Sequence, residues 1–157
     1  AINSLSEEDI SLTIYGDPTA FPEYTAELED LIRRPGIELR GVLDRDEIWP
    51  AIADFDVVVI PTLWYETSVL VIDEVYAMGV PVIGSDIGVM SEKLADGVDG
   101  RLFAPGDAAA LRDILSELIA SPETLFNWRR NIKPVNDITD HKRALEKLYA
   151  TVLSGSR

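Results

Sequence analysis

The sequence predicts an α/β domain, a mainly parallel, doubly wound sheet with helices on both faces. Two short apolar runs, DFDVVVIP at 54–61 and GVPVIGS at 79–85, have the length and composition of strands buried on both sides. Between them, WYETSVLVIDEVYAMG at 64–79 reads as a loop followed by a helix, so strand, crossover and strand fall in order. The same alternation continues on either side, which makes parallel pairing the natural outcome.

Taken in order, AINSLSEED at the start is polar and reads as the tail of a helix, and SLTIY at 11–15 as a short strand closing in the turn Gly16-Asp17-Pro18. Tyr24, Leu28, Leu31 and Ile32 recur at helical spacing and define a helix over 23–34, stopped by Pro35-Gly36. A strand follows from Ile37 to Val42. Asp44 with Glu47 three residues on is a capping-box pattern for a short helix through Ile48, Ile52 and Ala53. In the central crossover the helix is expected to start near Ser68 and to close at Gly79, the residue type that suits a left-handed cap. A strand at 81–84, a short helix at 89–95 and a strand at 101–103 come next, with Asp96-Gly97 and Asp99-Gly100 bracketing the turn. Asp107 is placed to cap a long helix to Ile119. The remainder, about 121–157, is helical, starting at Ser121-Pro122-Glu123, broken at Lys133-Pro134 and resuming from about His141. All 157 residues form one domain.

Composition bounds the function. The chain carries 28 acidic and 14 basic residues, a net charge of −14, so its long-range field repels nucleic acid and anionic membrane surfaces. It has no cysteine, which removes disulfides and zinc-thiolate sites, and no apolar run long enough to span a bilayer. A cytoplasmic protein is the expectation, peripheral to the membrane at most. From residue 46 to residue 92 there is no Lys or Arg, so this central stretch has only backbone amides with which to hold an anion.

The crossover carries the candidate site. Glu66 falls in the loop ahead of the helix and Glu74 inside it, both towards the carboxyl ends of the strands, the edge where ligands bind in open α/β sheets. The amides of Thr67, Ser68, Val69 and Leu70 would lie at the amino end of the helix, where unpaired N–H groups and the helix dipole favour a phosphate. The two carboxylates suit ligand hydroxyls on either side. Spacing alone also fits a packed helix face with Glu74 in solvent. His141, the single histidine, reads as exposed or capping rather than catalytic, and Trp49, Trp64 and Trp128 read as packing residues, with Trp64 beside Glu66 the candidate exception.

ADFDVVVIPTLWYE at 53–66, the Glu66-x7-Glu74 spacing, EVYAMGVPVIGSDIG at 74–88 and SEKLADGVDGRLFAPGD at 91–107 resemble, in order, the C-terminal, nucleotide-sugar-binding half of family 4 (group 1) glycosyltransferases. The resemblance runs from the Gly16 turn to the last helix and implies the Rossmann-like C-terminal half of a GT-B fold. It implies a retaining, metal-independent hexosyltransferase that takes a nucleotide-diphospho-sugar as co-substrate and needs no other cofactor. By the same resemblance Glu66 has the catalytic position against the donor sugar, orienting it rather than attacking it, and Glu74 holds the ribose. Residues 67–70 match the diphosphate-binding turn, Val42 and Leu43 the region that holds the base, and Gly16 the glycine of the second-strand turn. A non-catalytic sugar-nucleotide-binding or interaction domain of the same fold is the alternative.

Three departures stand against the family pattern. Ser68-Val69 occupy the place of a common Phe-Gly, and Gly88-Val89 that of a paired glycine. The family's first strand, with its Gly-Arg loop and following Lys-Gly, has no counterpart ahead of Ala1. The acceptor would be held by an N-terminal domain outside these 157 residues, and the isolated chain is expected to be inactive. In a sheet of order 3-2-1-4-5-6 the first strand lies at the centre, between 11–15 and 56–60. Two dry edges there would leave backbone groups unpaired. The gap is therefore expected to be filled, by closure of the two strands on each other, by remodelling of the first residues, or by pairing with another copy in a homo-oligomer.

Overall fold

The structure is a computed structural model that describes residues 1–6 and 10–155. Five strands, β1 (Leu12–Tyr15), β2 (Ile37–Arg40), β3 (Val58–Ile60), β4 (Val82–Ser85) and β5 (Gly100–Phe103), alternate with helices α1 (Pro22–Leu31), α2 (Arg45–Ala53), α3 (Leu70–Ala77) and α4 (Val89–Lys93). Helices α5 (Ala108–Ala120), α6 (Glu123–Asn131) and α7 (Ile138–Gly155) follow the last strand. All strand pairs are parallel.

β4 shows why helices cover both faces. Its side chains alternate, and the two sides are both dry: Val82 packs with Ile52, Ile72, Val75, Met90 and Leu94 from α2 to α4, whereas Ile83 packs with Phe103, Leu115, Leu118 and Trp128 beneath α5 and α6. Trp128 is thus a core residue, as its packing assignment required. β5 approaches β4 closely because Gly100 has no side chain: a Cβ there would lie 2.0 Å from the Val82 carbonyl oxygen.

Local signals set most boundaries. Gly79 (φ 71°) closes α3 in a Schellman arrangement, its amide donating to Tyr76 O and that of Val80 to Val75 O. Asp44 and Glu47 form the capping box of α2, and the Asp107 carboxylate accepts from the amides of Ala109 and Ala110 at the start of α5. Some boundaries differ. α3 begins at Leu70 with Val69 as N-cap, two residues after the expected Ser68. α7 begins at Ile138 rather than near His141, because the Asp137 carboxylate accepts from the amides of Thr139 and Asp140. At the amino terminus Ile2–Ser4 make a single 3-10 turn, not a helix tail, and residues 7–9 of that expectation lie outside the described residues.

The sheet is split. β1 pairs with β2, and β3, β4 and β5 form a separate ladder in that order, with no ladder between β1 and β3. The expected closure of these two strands on each other is therefore not what the structure contains. Side chains bridge the division instead: the Tyr15 and Phe55 rings meet edge-on at 6.5 Å, and Ile10 packs in the same cluster as Val57 and Val59. The edges are also wetter than expected, since the residues of β1 and β3 are half-buried where those of β4 are fully buried. Half-solvated backbone groups can hydrogen-bond to water, which relieves the cost that a dry edge would carry.

Candidate active site

Each predicted site residue lies just beyond the carboxyl end of a strand or in the crossover that follows one, but they form two groups. Gly16 follows β1 and its amide donates to Arg40 O, so it stays in the β1–β2 ladder. Val42 and Leu43 follow β2, Val42 with 72% of its surface exposed, and a Cβ on Gly16 would meet nothing within 4 Å. Glu66, residues 67–70 and Glu74 form the other group, in the crossover between β3 and β4. Among the described residues no hydrogen bond or ion pair links the two groups.

Within the crossover, residues 61–69 are shaped by neighbouring turns. Gly88, with φ 57°, brings its backbone under the Tyr65 ring, where a Cβ would lie 3.1 Å from the ring edge. Leu63 lies against Gly106 in the same way at 3.7 Å. Glu66 is half-buried, and its carboxylate accepts from the Trp64 indole N–H at 2.5 Å. Trp64 keeps 63% of its surface exposed, so this indole is a partner of Glu66 and not a core residue.

Val69 buries its side chain in the core beside Ile72 and Val75, and therefore offers a ligand only its backbone. Ser68, Thr67 and Leu70 are exposed. No side chain caps α3, and among the described residues the amides of Thr67, Ser68, Val69 and Leu70 donate to no protein acceptor. Four adjacent donors at a helix amino end thus have no protein acceptor among the described residues, an arrangement that can bind an anion. Glu74 is half-buried and is the fifth residue of α3.

Sequence reasoning missed one participant. Lys93, at the end of α4, donates from Nζ to the Asp73 carboxylate at 2.5 Å and to the Val69 carbonyl at 3.3 Å. These contacts are 20 and 24 residues apart in sequence, so no local pattern pointed to them. Asp86, just after β4, accepts from the Ser91 hydroxyl within α4. His141 is exposed on α7.

Two surface concavities, of about 430 and 500 Å³, lie elsewhere, one against Arg101 and Trp128 and one along 20–27 at the start of α1. Both are open hollows, the first lined by Arg101, Glu117, Ser121 and Thr124 beside Ile114 and Trp128, and neither includes a residue of the crossover. No helix among the described residues is long and apolar enough to cross a membrane.

Known proteins share this architecture. The D-inositol 3-phosphate glycosyltransferase of Xylanimonas cellulosilytica is 30% identical over 117 residues, covering 72% of this chain and 28% of that protein. The Anabaena protein HepE, solved in complex with UDP, superposes with a TM-score of 0.79 at 23% identity, over 90% of this chain and 41% of that one. The C-terminal domain of the group 1 glycosyl transferase LpcC from Francisella tularensis superposes with a TM-score of 0.64 at 24% identity, over 71% of this chain and 60% of that one. The chain spans between 22% and 28% of the length of the curated relatives it matches. The fold is the Rossmann-like half of a GT-B glycosyltransferase, and the family model for glycosyl transferases group 1 matches residues 1–121. Its fold and its crossover sequence lead to one assignment: the chain belongs to the glycosyl transferases group 1 family.

Proposed function

We propose that this chain is the donor-binding part of a retaining, metal-independent glycosyltransferase that uses a nucleotide-diphospho-sugar. The observation that carries the reading is the amino end of α3, where the unpartnered amides of 67–70 sit between Glu66 and Glu74. In glycosyl transfer the anomeric C–O bond to the diphosphate breaks as a bond to the acceptor oxygen forms. Negative charge grows on the distal phosphate, and preorganised amides with the helix dipole stabilise it without rearranging. Glu74 accepts from the vicinal ribose hydroxyls, charge-assisted hydrogen bonds that hold the nucleotide. Glu66, steadied by Trp64, orients the sugar. Val42 and Leu43 face the base, Gly16 leaves room beside the donor, and a separate domain holds the acceptor. That HepE, which shares this fold, was solved in complex with UDP supports a nucleotide ligand.

The two glutamates separate the roles experimentally. In the complete protein Glu74→Ala weakens binding of the bare nucleotide by about 1.5–3 kcal/mol, the loss of hydrogen bonds to a charged group. Glu66→Ala leaves that affinity near wild type and lowers turnover. Calorimetric titration and steady-state rates measure the two effects, and equal losses of nucleotide affinity in both variants would contradict the assignment.

A further inference from the structure

We infer that Lys93 is a positioning residue of the diphosphate site, acting by cancelling the charge of Asp73 and bracing the N-cap peptide of α3. The inference rests on the preceding reading of the α3 amino end as the place of the diphosphate. Asp73 stands in the first turn of α3, and its negative charge there would oppose a dianionic ligand at the same helix end. Lys93 Nζ reaches both the Asp73 carboxylate, at 2.5 Å, and the carbonyl of Val69, at 3.3 Å. One ammonium therefore bridges the acid to the peptide that forms the turn. The pair is partly shielded, with 26% of the Lys93 side chain and 39% of the Asp73 side chain exposed, so solvent screens it incompletely.

Lys93 is also the first cation after the stretch 46–92, which has none. It offers the ligand no free charge, because both its contacts are to oxygen acceptors of α3 and its N-cap. Its effect is to remove an opposing charge. Val69, whose side chain is locked in the core, is held from the other side through its carbonyl, so the amides of the turn have a fixed direction. The Asp73–Lys93 pair and the Val69 contact are features of side chains from two helices, α3 and α4, that flank β4.

The test is a set of four variants of the complete protein, titrated with UDP, GDP and ADP and with the matching nucleosides at low and high salt. Lys93→Met weakens the diphosphate on the order of tenfold at low ionic strength and less at high, since screening reduces the uncompensated repulsion. Its affinity for the nucleoside is unchanged. Lys93→Arg retains wild-type binding, and Asp73→Asn with Lys93→Met recovers most of the loss. Thermal unfolding of each variant verifies that the comparison is between folded proteins. The inference is overturned if Lys93→Met binds the diphosphate within twofold of wild type, or if the double variant stays as weak as Lys93→Met. A wild-type protein that binds none of the three diphosphates refutes the donor-site reading itself, whereas binding lost in Glu74→Ala but unaffected by Lys93→Met refutes only the role of Lys93.

Discussion

Tyr76 and Asp99 show how a single buried polar pair ties α3 to the turn ahead of β5. The Tyr76 hydroxyl donates to the Asp99 carboxylate at 2.9 Å, and the same oxygen accepts from the Ala95 amide at 2.9 Å. Burial first, and then the bond to Asp99, push the Tyr76 phenol far above its ordinary range. The unfolded phenol ionises at about 10 whereas the folded one keeps its proton, so stability falls as pH rises beyond that value. Tyr76→Phe is expected to cost about 1–2 kcal/mol at neutral pH, and to remove this component of the alkaline loss. Denaturant unfolding of both proteins between neutral and alkaline pH measures it, and identical pH profiles would contradict it. Little of this residue-level wiring was legible in the sequence. Glu66 and Glu74 were candidates by their placement around one crossover, but the Tyr76–Asp99 and Asp73–Lys93 contacts depend on which turns the tertiary fold brings together. Trp64, the candidate exception among the tryptophans because it stands beside Glu66, donates its indole N–H to that carboxylate.

At the level of elements, glycines decide how closely backbones approach. Gly100→Ala places a methyl 2.0 Å from the Val82 carbonyl, a rigid backbone atom, whereas Gly84→Ala meets Met90 Sδ at 2.6 Å, part of a flexible side chain. The first substitution is expected to destabilise by about 3 kcal/mol or more and the second by about 1–2 kcal/mol. Midpoints of thermal or chemical unfolding give the order, and a Gly84→Ala protein weaker than Gly100→Ala would contradict it. Element ends were well read where the signal is local: Gly79, the Asp44 and Glu47 box and the Asp107 cap all act within a few residues. The start of α7 was misplaced because Asp137 follows a helix-breaking Lys133-Pro134 and its capping role shows only in its bonds to the amides of Thr139 and Asp140. The α3 start shifted because Thr67 and Ser68, both plausible caps by type, instead stay in the open turn ahead of Val69.

For the whole molecule, alternation of strands and helices was enough to predict a parallel α/β sheet with two covered faces, because that pattern depends on periodicity and length. The separation into two ladders was not legible in the same way. It depends on which edges the tertiary fold brings together, and the strands bordering the division are half-buried where β4 is fully buried. The split also places Gly16, Val42 and Leu43 on one ladder and Glu66 to Glu74 on the other, so a ligand binding both groups would bridge the division. The central claim is that a nucleoside diphosphate binds at the amino end of α3. Amide hydrogen exchange of the complete protein, with and without a saturating nucleotide-diphospho-hexose, tests it most directly. The account predicts protection at the amides of Thr67, Ser68, Val69 and Leu70. A ligand that binds and slows exchange elsewhere while leaving those four amides unchanged would contradict it.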